Sequence, residues 1–129
     1  MILQDYGALK RFRAQIDKIG LSVNDPTLFQ DIQEACQNQQ AFFFSESSSF
    51  AVLTFSHTSL LIWLAYSSMS NGLPVYLPVF ENMGREVGST HIEFWSTRKG
   101  FLKIMPSLGW NHAKSLWKEK PILVWSKPL

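Results

Sequence analysis

The segment from Leu60 to Ser96 constrains the fold more than any other part of the sequence. It opens with the run Leu60 to Tyr66, which is apolar on both faces and therefore predicts a central strand. An amphipathic helix follows over Leu73 to Val87, and a short strand over His91 to Ser96. A strand, a helix and a strand in this order make the two strands parallel, with a right-handed connection. We expect a ligand at the carboxyl ends of this central parallel pair.

The residues before this segment predict two helices and an antiparallel meander. The first helix is expected to end at Gly20. The second is expected to begin at Asp25 and Pro26, as N-cap and first helical residue. The apolar faces are Leu9, Phe12, Ile16 and Ile19 for the first helix, and Leu28, Phe29, Ile32, Ala35 and Cys36 for the second. Strands over 41–45, 50–56 and 59–67 have short connections, which favour antiparallel pairing.

The residues after the segment predict a fourth helix and two further strands. The helix covers Arg98 to Leu108, with Phe101, Met105 and Leu108 inward and Gly109 as its C-terminal cap. The strands cover residues 113–118 and 122–126. The fold class is therefore α/β with a mixed sheet, in which an antiparallel meander precedes a parallel pair and helices cover both faces.

Composition limits the domain count and the classes of partner. A chain of 129 residues with 46% apolar and 17% charged residues suits one folded domain, residues 1–129. A net charge of +2 is too small to indicate nucleic acid. The longest apolar stretch is far shorter than the ~20 residues of a membrane span. The lone cysteine, Cys36, cannot form an internal disulfide and fits a reducing cytoplasm as an inert core thiol. His57, His91 and His112 lack metal-ligand spacing, so we expect no metal site.

Two segments carry a resemblance to a known family. Residues 88–95 read Gly-Ser-Thr-His-Ile-Glu-Phe-Trp, and residues 98–110 contain Arg98, Gly100, Phe101 and, at the end, Leu108-Gly109-Trp110. With the order of elements, these residues resemble the GNAT superfamily of N-acetyltransferases, best between Phe50 and Lys118. The second segment resembles small GNAT-like proteins encoded by bacteriophages, mostly of unassigned function. The resemblance would place the protein in a host cytoplasm or, if it is phage-encoded, in a virion.

The resemblance implies an acetyl-CoA site after the first strand of the parallel pair. In this family the pantetheine arm lies along that strand, here Leu64, Ala65 and Tyr66. The pyrophosphate rests on backbone N–H groups of the loop before the helix. That loop and the first residue beyond it are Ser67, Ser68, Met69, Ser70, Asn71, Gly72 and Leu73. Gly72 matches the family pattern, whereas Ser67 stands where the family has Gln or Arg.

The same resemblance implies a base and an acid for acetyl transfer. Glu93 is the candidate base, although an ordinary polar residue on an alternating strand would look the same. The tyrosine that donates a proton usually lies on the fourth helix, but residues 98–108 contain none. Tyr66 and Tyr76 lie near the loop, neither of them at the family position, and Tyr66 is the candidate acid.

Two functions therefore remain open from the sequence. The first is an N-acetyltransferase acting on an unidentified amine. The second is a noncatalytic GNAT-like phage protein that binds a protein partner or acts in the virion. Most of the five tryptophans are expected in the core, and an exposed pair near Lys114 or Lys118 would be a partner surface. The sequence leaves the partner and the oligomeric state open.

Overall fold

A computed structural model of the chain describes residues 3–56, 58–68, 72–117 and 119–129. The strands are β1 (Leu3–Gln4), β2 (Phe42–Glu46), β3 (Ser49–Phe55), β4 (Ser59–Tyr66), β5 (His91–Ser96), β6 (Asn111–Trp117) and β7 (Lys120–Pro128). The helices are α1 (Arg13–Ser22), α2 (Leu28–Gln37), α3 (Gly72–Glu86) and α4 (Phe101–Ile104), with 3-10 turns at Tyr6–Phe12 and Met105–Leu108. None of the helices described is both long and apolar enough to cross a bilayer.

The strands form a mixed sheet in the order β1-β2-β3-β4-β5-β7-β6. β1, β2 and β3 are antiparallel neighbours, as are β5, β7 and β6. β4 and β5 are parallel, with Ser59 opposite His91 and Ile62 opposite Phe94. This confirms the mixed α/β fold, the central place of β4 and the parallel pair that the sequence predicts. The bounds of β5 agree with the prediction at both ends.

The chain divides into two compact units. Unit 1 comprises Met1–Thr54 and Leu64–Gly72, and unit 2 comprises Phe55–Trp63 and Leu73–Leu129. In unit 1, Phe12 of the first 3-10 turn packs on Phe43 and Phe50, with ring centroids 5.9 and 4.9 Å away. That the whole chain is a single domain stays a prediction from its length.

The core of unit 2 lies on one face of its strands. Ile92 and Phe94 of β5 and Trp125 of β7 are buried there. Phe94 contacts the ring of Trp110 edge-on at 5.2 Å and that of Phe101 at 5.3 Å. Both rings belong to the segment around α4, which therefore packs against this face of the unit.

The end of α1 and the start of α2 differ from the positions that the sequence predicts. Gly20 does not end α1 but lies buried within it, because the backbone of Asp25 passes against it. α2 begins at Leu28, two residues later than predicted, because Asp25 forms a turn whose carbonyl accepts the Leu28 N–H at 3.3 Å. Asp25 is therefore not the N-cap.

The predicted fourth helix is much shorter than residues 98–108. α4 has four residues and continues as a 3-10 turn, in which Pro106 cannot donate the N–H bond that an α-helix needs. Met105 is buried and Phe101 half-buried as expected, but Leu108 is 43% exposed, so its predicted inward position is wrong. Gly109 has φ +88° and caps the turn, which confirms its predicted role.

Candidate functional site

The parallel strands β4 and β5 stop pairing before either strand ends. Their register runs to Ile62 opposite Phe94, whereas β4 continues to Tyr66 and β5 to Ser96. β5 remains paired with β7 as far as Ser96 opposite Leu123. The last four residues of β4 thus extend beyond their described pairing with β5. Backbone N–H and C=O groups at such an end need partners, which a ligand with amide groups can supply.

The side chains at this end of β4 belong to unit 1 and are only partly covered. Leu64 and Tyr66 are half-buried, and Ala65 is exposed. The ring of Tyr66 stacks on Phe50, with centroids 5.7 Å apart and planes inclined by 24°. Phe50 is itself buried in the aromatic core of unit 1. The Tyr66 ring is therefore held by the core.

Serine hydroxyls tie the residues after β4 to the turn between β2 and β3. The Ser49 hydroxyl donates to the Ser67 hydroxyl at 2.9 Å, and Ser48 and Ser68 share a second hydrogen bond. Ser49 is only 3% exposed, so its hydroxyl is committed to this contact. Arg11 braces the turn by donating to the carbonyl oxygen of Ser47 at 3.1 Å. The density of serines at residues 45–49 and 67–70 was the available signal, and the sequence reasoning missed it.

The predicted phosphate loop is described only at its two ends. Met69, Ser70 and Asn71 lie outside the described residues, so the structure does not test the expectation for them. α3 begins at Gly72, where the sequence places the family glycine. The first N–H groups of a helix have no partner within it and favour anions. Gly72 and Leu73 carry such groups, whereas Pro74 has no N–H to offer.

Glu93 lies on β5 in unit 2, between Leu61 of β4 and Ser126 of β7. The residue is half-buried. His91 and Trp95 flank it at two-residue spacing and share its face of the strand. The candidate base thus belongs to unit 2, whereas Tyr66, Ser67, Ser68 and Gly72 belong to unit 1.

The tryptophans separate into buried and exposed groups. Trp110 and Trp125 are buried and Trp63 is half-buried. Trp95 and Trp117 are 39% and 41% exposed, and their rings meet edge-to-face at 5.9 Å. Trp95 and Trp117 thus form an exposed pair, whereas Lys118, one of the two lysines expected beside such a pair, lies outside the described residues. The use of the pair as a protein-partner surface stays a prediction.

The remaining candidates do not assemble into a site. Among the described residues, no group of three His, Cys, Asp or Glu side chains could hold a metal ion. Burial raises the pKa of the half-buried Cys36 thiol, which disfavours the reactive thiolate. Cys36 borders a cavity of about 380 Å³ in unit 1 that none of the predicted site residues lines.

No family model matches the sequence, and no curated protein is similar to it. Solved structures do match. A ribosomal-protein-alanine N-acetyltransferase from Brucella melitensis has a TM-score of 0.73 at 14% identity, covering 100% of this chain and 99% of that chain. An acetyltransferase from Streptococcus agalactiae 2603 has a TM-score of 0.69 at 13% identity, covering 100% of this chain and 98% of that chain. A Bacillus subtilis acetyltransferase in complex with CoA has a TM-score of 0.60 at 9% identity, covering 78% of this chain and 83% of that chain. The chain therefore has the fold of the GNAT acetyltransferases.

Proposed function

We propose that the protein is an acyl-CoA-dependent N-acyltransferase that transfers an acetyl group to an amine. The observation that carries the proposal is the early end of the β4–β5 pairing, at Ile62 and Phe94, within a GNAT fold. A structural neighbour of the same fold is described in complex with CoA. The end of β4 is the place where the sequence resemblance puts the pantetheine arm.

The residues at the end of β4 suit the cofactor. Backbone groups of Leu64, Ala65 and Tyr66, at the end of β4, would pair with the amides of the arm. The N–H groups of Gly72 and Leu73 at the start of α3 would take the pyrophosphate. Ser67 and Ser68 are held by the β2–β3 turn and define where the loop begins. When bound, acetyl-CoA supplies the thioester whose acetyl group is transferred.

Glu93 is proposed as the general base. Its half-buried carboxylate can accept a proton from an incoming ammonium group, so that the amine attacks as a neutral nucleophile. Tyr66 is proposed as the proton donor to the leaving thiolate, with its ring oriented by Phe50. Both roles rest on the family resemblance together with the exposure of these side chains.

A thermal unfolding experiment with acetyl-CoA tests the proposal. A ligand that binds only the native state at 100 times its Kd adds about 2.7 kcal/mol to the free energy of unfolding. We expect a concentration-dependent rise in Tm and binding heat in calorimetry, with ATP as the control for general phosphate binding. If millimolar acetyl-CoA gives neither heat nor stabilisation, the enzyme proposal is wrong.

That negative result would favour the noncatalytic alternative, a GNAT-like protein that acts through its surface. A phage origin and a role in the virion have no support from the structural neighbours and stay predictions from sequence. The neighbours also leave the acceptor undecided.

A further inference from the structure

The sheet of unit 2 has one buried face and one open face. Residues directly opposite each other in the register point to the same side of a sheet. Ile92, Phe94 and Trp125 belong to the buried face. Glu93 and Trp95 alternate with them on β5 and therefore belong to the open face.

The open face continues from β5 across β7 to β6. Ser126 lies opposite Glu93, and Val124 lies opposite Trp95. Ile122, two residues from Val124 on β7, belongs to the same face and is half-buried. Trp117 of β6 contacts the Trp95 ring edge-to-face, with ring centroids 5.9 Å apart. We call Trp95, Trp117, Ile122 and Val124 the apolar surface. In this set the two tryptophans are exposed, and the two branched side chains are half-buried.

The charges on this face are arranged unevenly. The carboxylate of Glu93 lies two residues from Trp95, which places their Cα atoms about 7 Å apart along the strand. At the other end, Lys120 lies opposite Trp117 and is exposed. Glu119 is in the turn before β7, outside both strands. A bound molecule thus meets a negative charge beside Trp95 and a positive charge beside Trp117.

We infer that this face binds the acceptor, and that the acceptor is a primary monoamine with an aromatic or other apolar body. Its ammonium group is drawn to Glu93, and its body packs on the apolar surface, where tryptophan provides large contact area and cation–π attraction. Lys120 disfavours a second positive charge at the far end of the molecule. The inference rests on the proposed function for calling the amine an acceptor, but the binding site itself is tested without catalysis.

Isothermal titration with three small probes tests the site. 2-Phenylethylamine has both features, 2-phenylethanol lacks the charge, and putrescine lacks the apolar body and carries a second charge. With the full chain, alone and with CoA, we expect 2-phenylethylamine to bind at least about tenfold more tightly than either of the others. Equal binding of the three probes, or no binding of 2-phenylethylamine, would overturn the inference.

Variants separate the two ends of the site. Trp95→Ala and Trp117→Ala should weaken binding of 2-phenylethylamine about fivefold or more, and Glu93→Gln should do the same. Tyr6→Ala, which removes a 42% exposed aromatic ring from unit 1, should leave it unchanged. Lys120→Glu should strengthen binding of putrescine several-fold, since it places a second carboxylate at the far end. Should a tryptophan variant fail to fold, the Glu93 and Lys120 variants decide the matter.

The outcomes for the two proposals are distinguishable. If acetyl-CoA binds but 2-phenylethylamine does not, the acceptor inference is wrong and the proposed function stands. If 2-phenylethylamine binds with the expected variant pattern but acetyl-CoA does not, the amine site stands and the enzyme proposal is wrong. Folded tryptophan variants with unchanged affinity would overturn the inference in either case.

Discussion

At Gly109 the chain leaves the 3-10 turn with φ +88°, a conformation that L-residues with a side chain rarely adopt. Gly109→Val should therefore lower the free energy of unfolding by on the order of 1 kcal/mol or more. Gly100→Ala is the matched control, since Gly100 has φ −59° and nothing lies within 4 Å of a Cβ built there. Urea unfolding measures both. Equal free energies of unfolding for the two variants would show that a side chain at position 109 causes no strain.

Gly20 has a different role, because its lack of a side chain allows the backbone of Asp25 to approach α1 closely. A Cβ at this position would lie 2.6 Å from the carbonyl oxygen of Asp25. Glycine to alanine inside a helix ordinarily stabilises by up to about 1 kcal/mol, but the clash should reverse the sign and cost about 1–3 kcal/mol. Gly7→Ala, whose Cβ would meet only the Asp5 side chain at 3.4 Å, is the control. A rise in Tm for Gly20→Ala would contradict the prediction.

Among the elements, α3 and β7 are joined by an ion pair in unit 2. The Lys127 ammonium donates to the Glu81 carboxylate at 2.7 Å, with side chains 27% and 13% exposed. A double-mutant cycle with Glu81→Gln and Lys127→Met should give a coupling energy of about 1 kcal/mol. The exposed pair Arg13–Asp17 should give only about 0.3–0.5 kcal/mol. Equal coupling in the two cycles would mean that burial adds nothing to the Glu81–Lys127 pair.

The β2–β3 turn has a proposed role at the cofactor site through its serines. Ser49→Ala removes the donor to Ser67 and should raise the Kd for acetyl-CoA about threefold to tenfold, because the start of the loop loses its support. Ser49→Thr keeps a hydroxyl and should restore part of the affinity. Ser56→Ala, which removes a hydroxyl bonded to Ser59 in unit 2, is the control. An unchanged Kd for Ser49→Ala would show that the hydrogen bond does not support binding.

For the molecule as a whole, binding and chemistry should be separable. Gly72→Val should abolish acetyl-CoA binding, because a branched side chain blocks close approach of phosphate to the start of α3. Glu93→Gln should bind acetyl-CoA with unchanged affinity and lose release of free CoA thiol in the presence of an amine. Calorimetry reports the first effect and thiol titration the second. Parallel loss of acetyl-CoA binding in both variants would argue against Glu93 as a base.

The elements with strong local signals could be predicted from the sequence. The two-sided apolar run of β4, the amphipathic pattern of α3 and the bounds of β5 follow from side-chain periodicity, so the parallel pair follows as well. The end of α1 and the start of α2 could not be predicted from the sequence. A glycine at position 20 indicates a helix end, and only the tertiary structure shows that the Asp25 backbone packs against it inside α1. The predicted inward position of Leu108 is also wrong, because a 3-10 turn rotates the side chain away from the position it would have in an α-helix.

The sequence by itself determined the fold class and the set of candidate site residues, because periodicity and helix-cap chemistry are local properties. Only the tertiary structure decided where the β4–β5 pairing stops, which serines hold the start of the loop, and that Trp95 and Trp117 meet on the open face with Glu93. Ser49 and Ser67 are 18 positions apart in the chain, Trp95 and Trp117 are 22 apart, and Ile62 and Phe94 are 32 apart. These contacts depend on strand register, and a shift of one residue would turn every side chain of a strand to the other face.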